Sequence, residues 1–116
     1  MNARQDRNFR EVLGEKIRML RRIQDRTQMD LAKFLGLTSS GAISQVENGS
    51  KGLTVENIAR TAQFFGVHPV VLMSPVEMTE DQLKMMIGVW KLVGNEDRSA
   101  EQESYYQAIR RLLADA

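Results

Sequence analysis

Residues 27–49 read TQMDLAKFLGLTSSGAISQVENG, and this stretch decides the fold. Thr27 is a helix N-cap with Asp30 three residues on, and Leu31, Ala32 and Leu35 recur at helical spacing before Gly36 supplies the left-handed residue that stops the helix. Small polar residues follow (Thr38, Ser39, Ser40). Ala42, Ile43 and Val46 then mark a second apolar stripe, with Ser40, Gly41, Ser44, Gln45 and Asn48 on the other faces, and Asn48-Gly49 ends that helix. Two short helices joined by a tight turn approach closely only where a side chain is minimal, which gives Ala32 its place.

The exposed face of the second helix lacks the Lys/Glu pairs that usually solvate a helix. It offers instead Ser, Gly, Ser and Gln: short groups that let a backbone approach, and one amide that donates and accepts together. Base edges in a DNA groove demand that combination.

Working outward, a first helix is predicted from near Asn8 to about Gln24, burying Phe9, Leu13, Ile17 and Leu20. Residues 1–7, with Arg4 and Arg7, are either an arm for a minor groove or a frayed terminus or extra helical turn. A fourth helix opens at Thr54, buries Ile58, Ala62 and Phe65 and ends at Gly66. A short fifth begins at His68-Pro69 and buries Val71 and Leu72. His68 stands where a cap belongs and has no nearby partners for catalysis or ligation.

After Ser74-Pro75 two further capping boxes, Thr79-Glu80-Asp81-Gln82 and Ser99-Ala100-Glu101-Gln102, each precede an apolar stripe. Leu83, Met86, Ile87, Trp90 and Val93 form one; Tyr105, Ile109, Leu112 and Leu113 form the other. The short polar connection Gly94 to Arg98 suits antiparallel neighbours, so residues 76–116 are expected to form a helical hairpin beyond a DNA-binding domain at 1–75. Two such helices cannot bury their stripes fully against each other. Leu83, Ile87, Trp90, Tyr105, Ile109 and Leu112 are therefore the expected homodimer interface, the alternative being a hairpin folded back onto its own domain.

At 116 residues the chain holds one core or one core with a small appendage. No long apolar run or signal-peptide pattern is found, so no membrane association and a cytoplasmic location are expected. Zero cysteines and one histidine remove disulfides and thiolate chemistry, and neither metal nor cofactor is expected. The net charge of +1 conceals a split: eleven Lys/Arg against seven Asp/Glu in residues 1–75 (+4), and five against eight in residues 76–116 (−3). Basic charge concentrated on one half suits neutralisation of DNA phosphates by that half. Ser44 has no base beside it, no Gly-rich phosphate loop occurs and the carboxylates are scattered, so no enzymatic activity is expected.

Four blocks resemble the Cro/repressor-type (XRE) helix-turn-helix family over about Phe9 to Met73: Ile17-Arg18-Met19-Leu20-Arg21; Thr27-Gln28-Met29-Asp30-Leu31-Ala32; Ile43-Ser44-Gln45-Val46-Glu47-Asn48-Gly49; and Leu53-Thr54-Val55-Glu56-Asn57-Ile58-Ala59 with Phe65-Gly66-Val67. The resemblance implies an all-α, five-helix lambda-repressor-like DNA-binding domain, here followed by the two-helix hairpin. It implies that Gln28 meets a phosphate of double-stranded DNA, that Ser40, Gly41, Ser44 and Gln45 face the major groove with Gln45 on adenine, that Ser39 also lies at the DNA, and that Asn48, Ser50 and Lys51 anchor on the backbone. It also implies a largely buried ion pair of Arg21 with Glu47. The expected function is a homodimeric regulator, a repressor, on a partly palindromic operator. The alternative is an antitoxin or controller whose hairpin binds a different protein as antagonist; a ligand-sensing regulator is a third reading, for which the hairpin leaves little room.

Overall fold

The computed structural model describes residues 7–94 and, beyond them, residues 103, 104, 107, 108 and 111. Among the described residues the protein is all-α, with α1 (Phe9–Ile23), α2 (Gln28–Leu35), α3 (Ser40–Glu47), α4 (Val55–Phe65), α5 (Pro69–Met73) and α6 (Glu80–Gly94). Residues 103, 104, 107, 108 and 111 are helical too. The second capping box and Tyr105, Ile109 and Leu112 lie outside the described residues.

Local signals set nearly every helix end. Asn8 caps α1 by accepting from the Glu11 N–H at 2.9 Å. Thr27 and Asp30 exchange reciprocal hydrogen bonds at 3.0 and 2.9 Å, closing a capping box on α2. Gly36 and Gly66 end α2 and α4 in the left-handed conformation, at φ 75° and 71°, where a side chain would be strained. The His68 ring Nδ1 accepts from the Val70 N–H, so this histidine is a cap, as its position ahead of Pro69 implied. Thr79 and Gln82 close the box that starts α6.

A single core joins Leu13, Ile17 and Leu20 of α1 to Leu31, Ala32 and Leu35 of α2, Ile43 and Val46 of α3, Ile58, Ala62 and Phe65 of α4, and Val71 and Leu72 of α5. Leu83 and Ile87 of α6 belong to it as well. Packing therefore continues past residue 75 into α6. Nor is Phe9 a core residue: it remains 36% exposed, while Val12 is buried at 4%. Phe9 lies on the apolar stripe but in the first turn of α1, at the rim of the packed layer.

Two features of α1 hold the layers together. Gly14 lies so close to the end of α3 that a Cβ there would sit 2.2 Å from the Val46 carbonyl oxygen. Lys16 is 1% exposed, and its Nζ donates to the carbonyls of Val71 and Ser74 at 2.8 and 2.9 Å, covering the end of α5. Burial holds this ammonium below the ordinary lysine value. Arg7, just before α1, pairs with Glu15 and Glu77 and so ties the helix start to the segment ahead of α6. No helix among the described residues is long and apolar enough to cross a membrane.

Candidate nucleic-acid interface

The orientation of α3 is fixed from its buried side. Ile43 and Val46 enter the core, and Glu47 follows them inward at 5% exposure, where an unpaired carboxylate would be costly. Arg21 of α1 answers it with two hydrogen bonds, Nε to Oε2 at 2.5 Å and Nη2 to Oε1 at 2.8 Å. Arg18 approaches the same carboxylate at 3.7 Å, and Gln28 Nε2 donates to it at 3.2 Å. Hydrogen bonding to Glu47 raises the Arg21 guanidinium above its ordinary value. The expected Arg21–Glu47 pair is thus present, and it clamps α1, α2 and α3 at one point.

With that side occupied, α3 turns the remaining side chains outward. Ser39, Gly41, Ser44 and Gln45 are exposed, and Ser40 and Ala42 are half-buried. Ser39 occupies the N-cap position without a capping hydrogen bond from its side chain. Gln45 is the long side chain of this group, and its exposed amide is the one able to span two atoms of a base edge. Gln28 sits at the first turn of α2 beside Ser40, and both line a shallow depression of about 420 Å³ with Arg21, Arg26 and Thr27. The dipole at the start of α2 favours an anion here, but the Asp25 carboxylate lines the same depression and the Arg21 guanidinium is already engaged by Glu47.

The loop after α3 is built by its own side chains. Asn48 Oδ1 accepts from the Ser50 N–H at 2.9 Å, Ser50 Oγ donates to the Gln45 carbonyl at 3.2 Å, and the Ser50 and Lys51 N–H groups converge on that same carbonyl. Asn48 and Ser50 consequently shape the turn, and the Lys51 side chain stands exposed beside them.

The residues expected at a dimer interface divide. Leu83 is fully buried and Ile87 is 8% exposed within their own chain, so neither is available to a second copy; they face the core because α6 packs along α1. Trp90 stays 36% exposed, its ring edge-on to His68 at 5.0 Å, with Met85 and Val89 also exposed on α6. The α6 stripe read from the sequence thus divides: Leu83 and Ile87 pack against the core of their own chain, while Met85, Val89 and Trp90 remain exposed.

Two positions escaped sequence reading. Gly14 had a usable signal, since a glycine inside a strongly periodic helix marks close backbone approach. Lys16 had none: a lysine amid helical periodicity reads as solvated, and only the end of α5 arriving over it explains its burial.

The helix-turn-helix family profile matches residues 17–72, which take in α1 from Ile17 through to Leu72 of α5. A curated relative, the antitoxin PezA of Streptococcus pneumoniae serotype 4 (strain ATCC BAA-334 / TIGR4), is 33% identical over 82 residues, covering 66% of this chain and 51% of that protein. The chain thus spans about half the length of that relative. No solved structure gives a significant match. The profile falls on the helices that hold Glu47 inward and Gln45 outward, and residues 17–72 form a helix-turn-helix unit of the Cro/repressor type.

Proposed function

We propose that the protein is a sequence-specific transcriptional regulator, a repressor that acts as a homodimer and lays one α3 per subunit into successive major grooves of a partly palindromic operator. The observation that carries this reading is the division of α3: Ile43, Val46 and Glu47 are locked inward, while Ser44 and Gln45 face solvent with no structural task for their side chains. A groove-reading helix needs such an arrangement, because its hydrogen-bonding side chains must be free of the fold and held at fixed positions against base edges. A half-site reader alone has little specificity, and the open face of α6 around Trp90, continued by the sequence pattern of Tyr105, Ile109 and Leu112, supplies apolar surface for a second copy.

The test is selection of the preferred operator from random DNA, followed by Gln45→Ala. Loss of about 1 to 3 kcal/mol on the selected operator and much less on random DNA is expected. Equal losses on both would remove Gln45 from base reading.

A second reading has its own support. The likeness to a protein named as an antitoxin favours a C-terminal segment that engages a different protein, with DNA binding retained. Purification of the natively expressed protein with an unrelated chain at fixed stoichiometry would favour this reading over a free homodimer.

A further inference from the structure

We propose that Arg10, laid across Gly52, is a second DNA-backbone anchor that works beside Lys51 and clamps the phosphates flanking each half-site. The inference rests on the DNA-binding reading and extends it to a residue of the first turn of α1, outside the 17–72 match.

Three observations converge. First, the structure brings the start of α1 against the loop that follows the recognition helix: a Cβ on Gly49 would meet Glu11 Cγ at 3.0 Å, and one on Gly52 would meet Arg10 Nε at 3.1 Å and its Cγ and Cδ at 3.7 and 3.8 Å. The missing side chain of Gly52 is thus the groove in which the Arg10 stem lies, one residue along the chain from Lys51. Second, several cations of this half of the molecule are already engaged, and Arg10 is not among them. Arg7, Lys16, Arg21 and Arg60 are committed to carboxylates or carbonyls of their own chain. Arg10 is exposed and has no carboxylate or hydrogen-bond partner among the described residues, since the neighbouring Glu11 is approached by Arg7 instead. Third, Lys51 is exposed and uses its N–H, not its side chain, to build the loop. Two uncompensated cations from distant parts of the sequence therefore flank one glycine at the end of the helix assigned to the groove. Such a pair matches the polyanionic backbone next to the bases that α3 reads, and the planar guanidinium suits a phosphate's paired oxygens.

The experiment measures operator affinity of the full chain against salt concentration, for the wild type, Arg10→Ala, Lys51→Ala, Gly52→Ala and the pair Arg10→Ala with Gly52→Ala. Loss of one phosphate contact lowers the salt slope by about one unit and makes the affinity deficit about threefold larger at 50 mM than at 200 mM salt. Arg10→Ala and Lys51→Ala should each show this. Gly52→Ala adds no charge and should leave the fold intact, because its new Cβ meets only the flexible Arg10 side chain. It should weaken binding by dislodging Arg10, and do nothing further in the Arg10→Ala background. An unchanged salt slope in Arg10→Ala, or a Gly52→Ala loss that persists without Arg10, overturns the clamp while leaving DNA binding in place. A wild-type chain with no salt-dependent affinity for any selected DNA overturns the underlying reading itself.

Discussion

Among the described glycines, Gly14 leaves the least room for the side chain that Gly14→Ala would add. A Cβ at this position would stand 2.2 Å from the Val46 oxygen, 2.7 Å from the Glu47 oxygen and 2.9 Å from the Glu47 carbonyl carbon, all backbone atoms of α3. An ordinary carbon–oxygen contact is about 3.3 Å, so relief requires α1 and α3 to separate by about 1 Å. Overpacking costs typically about 1–3 kcal/mol, and three backbone contacts at once place this case at the top of that range. The better helix propensity of alanine returns about 1 kcal/mol, leaving a net loss of about 2 kcal/mol and a melting temperature lower by about 8–16 °C for a domain of this size. Gly88→Ala is the matched control. That glycine is also helical, but its Cβ would meet nothing within 4 Å, so the same substitution should stabilise by about 0.5–1 kcal/mol. Thermal unfolding followed by circular dichroism reads both signs. A Gly14→Ala protein that melts at or above the wild-type temperature would refute the close approach of α1 and α3.

Three other outcomes are expected. Lys16→Met keeps the aliphatic stem but leaves the Val71 and Ser74 carbonyls without a donor, and should cost about 1–2 kcal/mol in urea unfolding; a neutral effect would mean that α5 needs no such anchor. Asp30 is held below the ordinary carboxylate value, first by the Thr27 N–H and then by the Thr27 hydroxyl, so its contribution is complete above about pH 4 and disappears as pH falls through the lowered value. The stability difference between wild type and Asp30→Asn should accordingly shrink toward zero in acid, and a difference constant from pH 7 to pH 2 would contradict the capping box. Trp90→Ser should leave the monomer folded, since Trp90 is outside the core, and weaken self-association about thirtyfold if it anchors the pair as a hot spot of about 2 kcal/mol; sedimentation of a monomeric wild type at micromolar concentration would remove the homodimer.

Helix ends were legible in the sequence because capping chemistry is local. Thr27 with Asp30, Gly36, Thr54, Gly66, His68-Pro69 and Thr79 with Gln82 each act within one turn, and each is found where its spacing implied. Helical periodicity was legible too, but it names a stripe without naming what covers it. Leu83 and Trp90 belong to one stripe of α6 by spacing, yet Leu83 is fully buried against α1 and Trp90 is 36% exposed, because the stripe is wider than the contact. Phe9 shows the same limit at the other end, where α1 overhangs its partners. Arg21 with Glu47 came from family resemblance rather than from spacing, since the residues are 26 apart and nothing in either helix alone requires the pair. The outward placement of Ser44 and Gln45 follows from the burial of Ile43 and Val46 one position before and after, which is why this part of the site could be read before the structure.

The position of α1 determines how firmly α3 is presented. On one side α1 meets α3 through Gly14 and the Arg21–Glu47 clamp; elsewhere it carries α5 through Lys16 and packs along α6, whose Leu83 and Ile87 share its core. The route from the exposed face of α6 to the reading face of α3 therefore runs through close-packed side chains and paired charges, with no flexible linker between. That rigidity bears directly on the proposed operator reading. Two half-sites one helical turn apart reward a dimer only when both recognition helices are held in register; a loosely tethered second helix would gain local concentration but little discrimination of spacing. In the proposed dimer, the burial of Leu83 and Ile87 in the same core as α1 and α3 would hold α6 and the reading helix in one fixed relation.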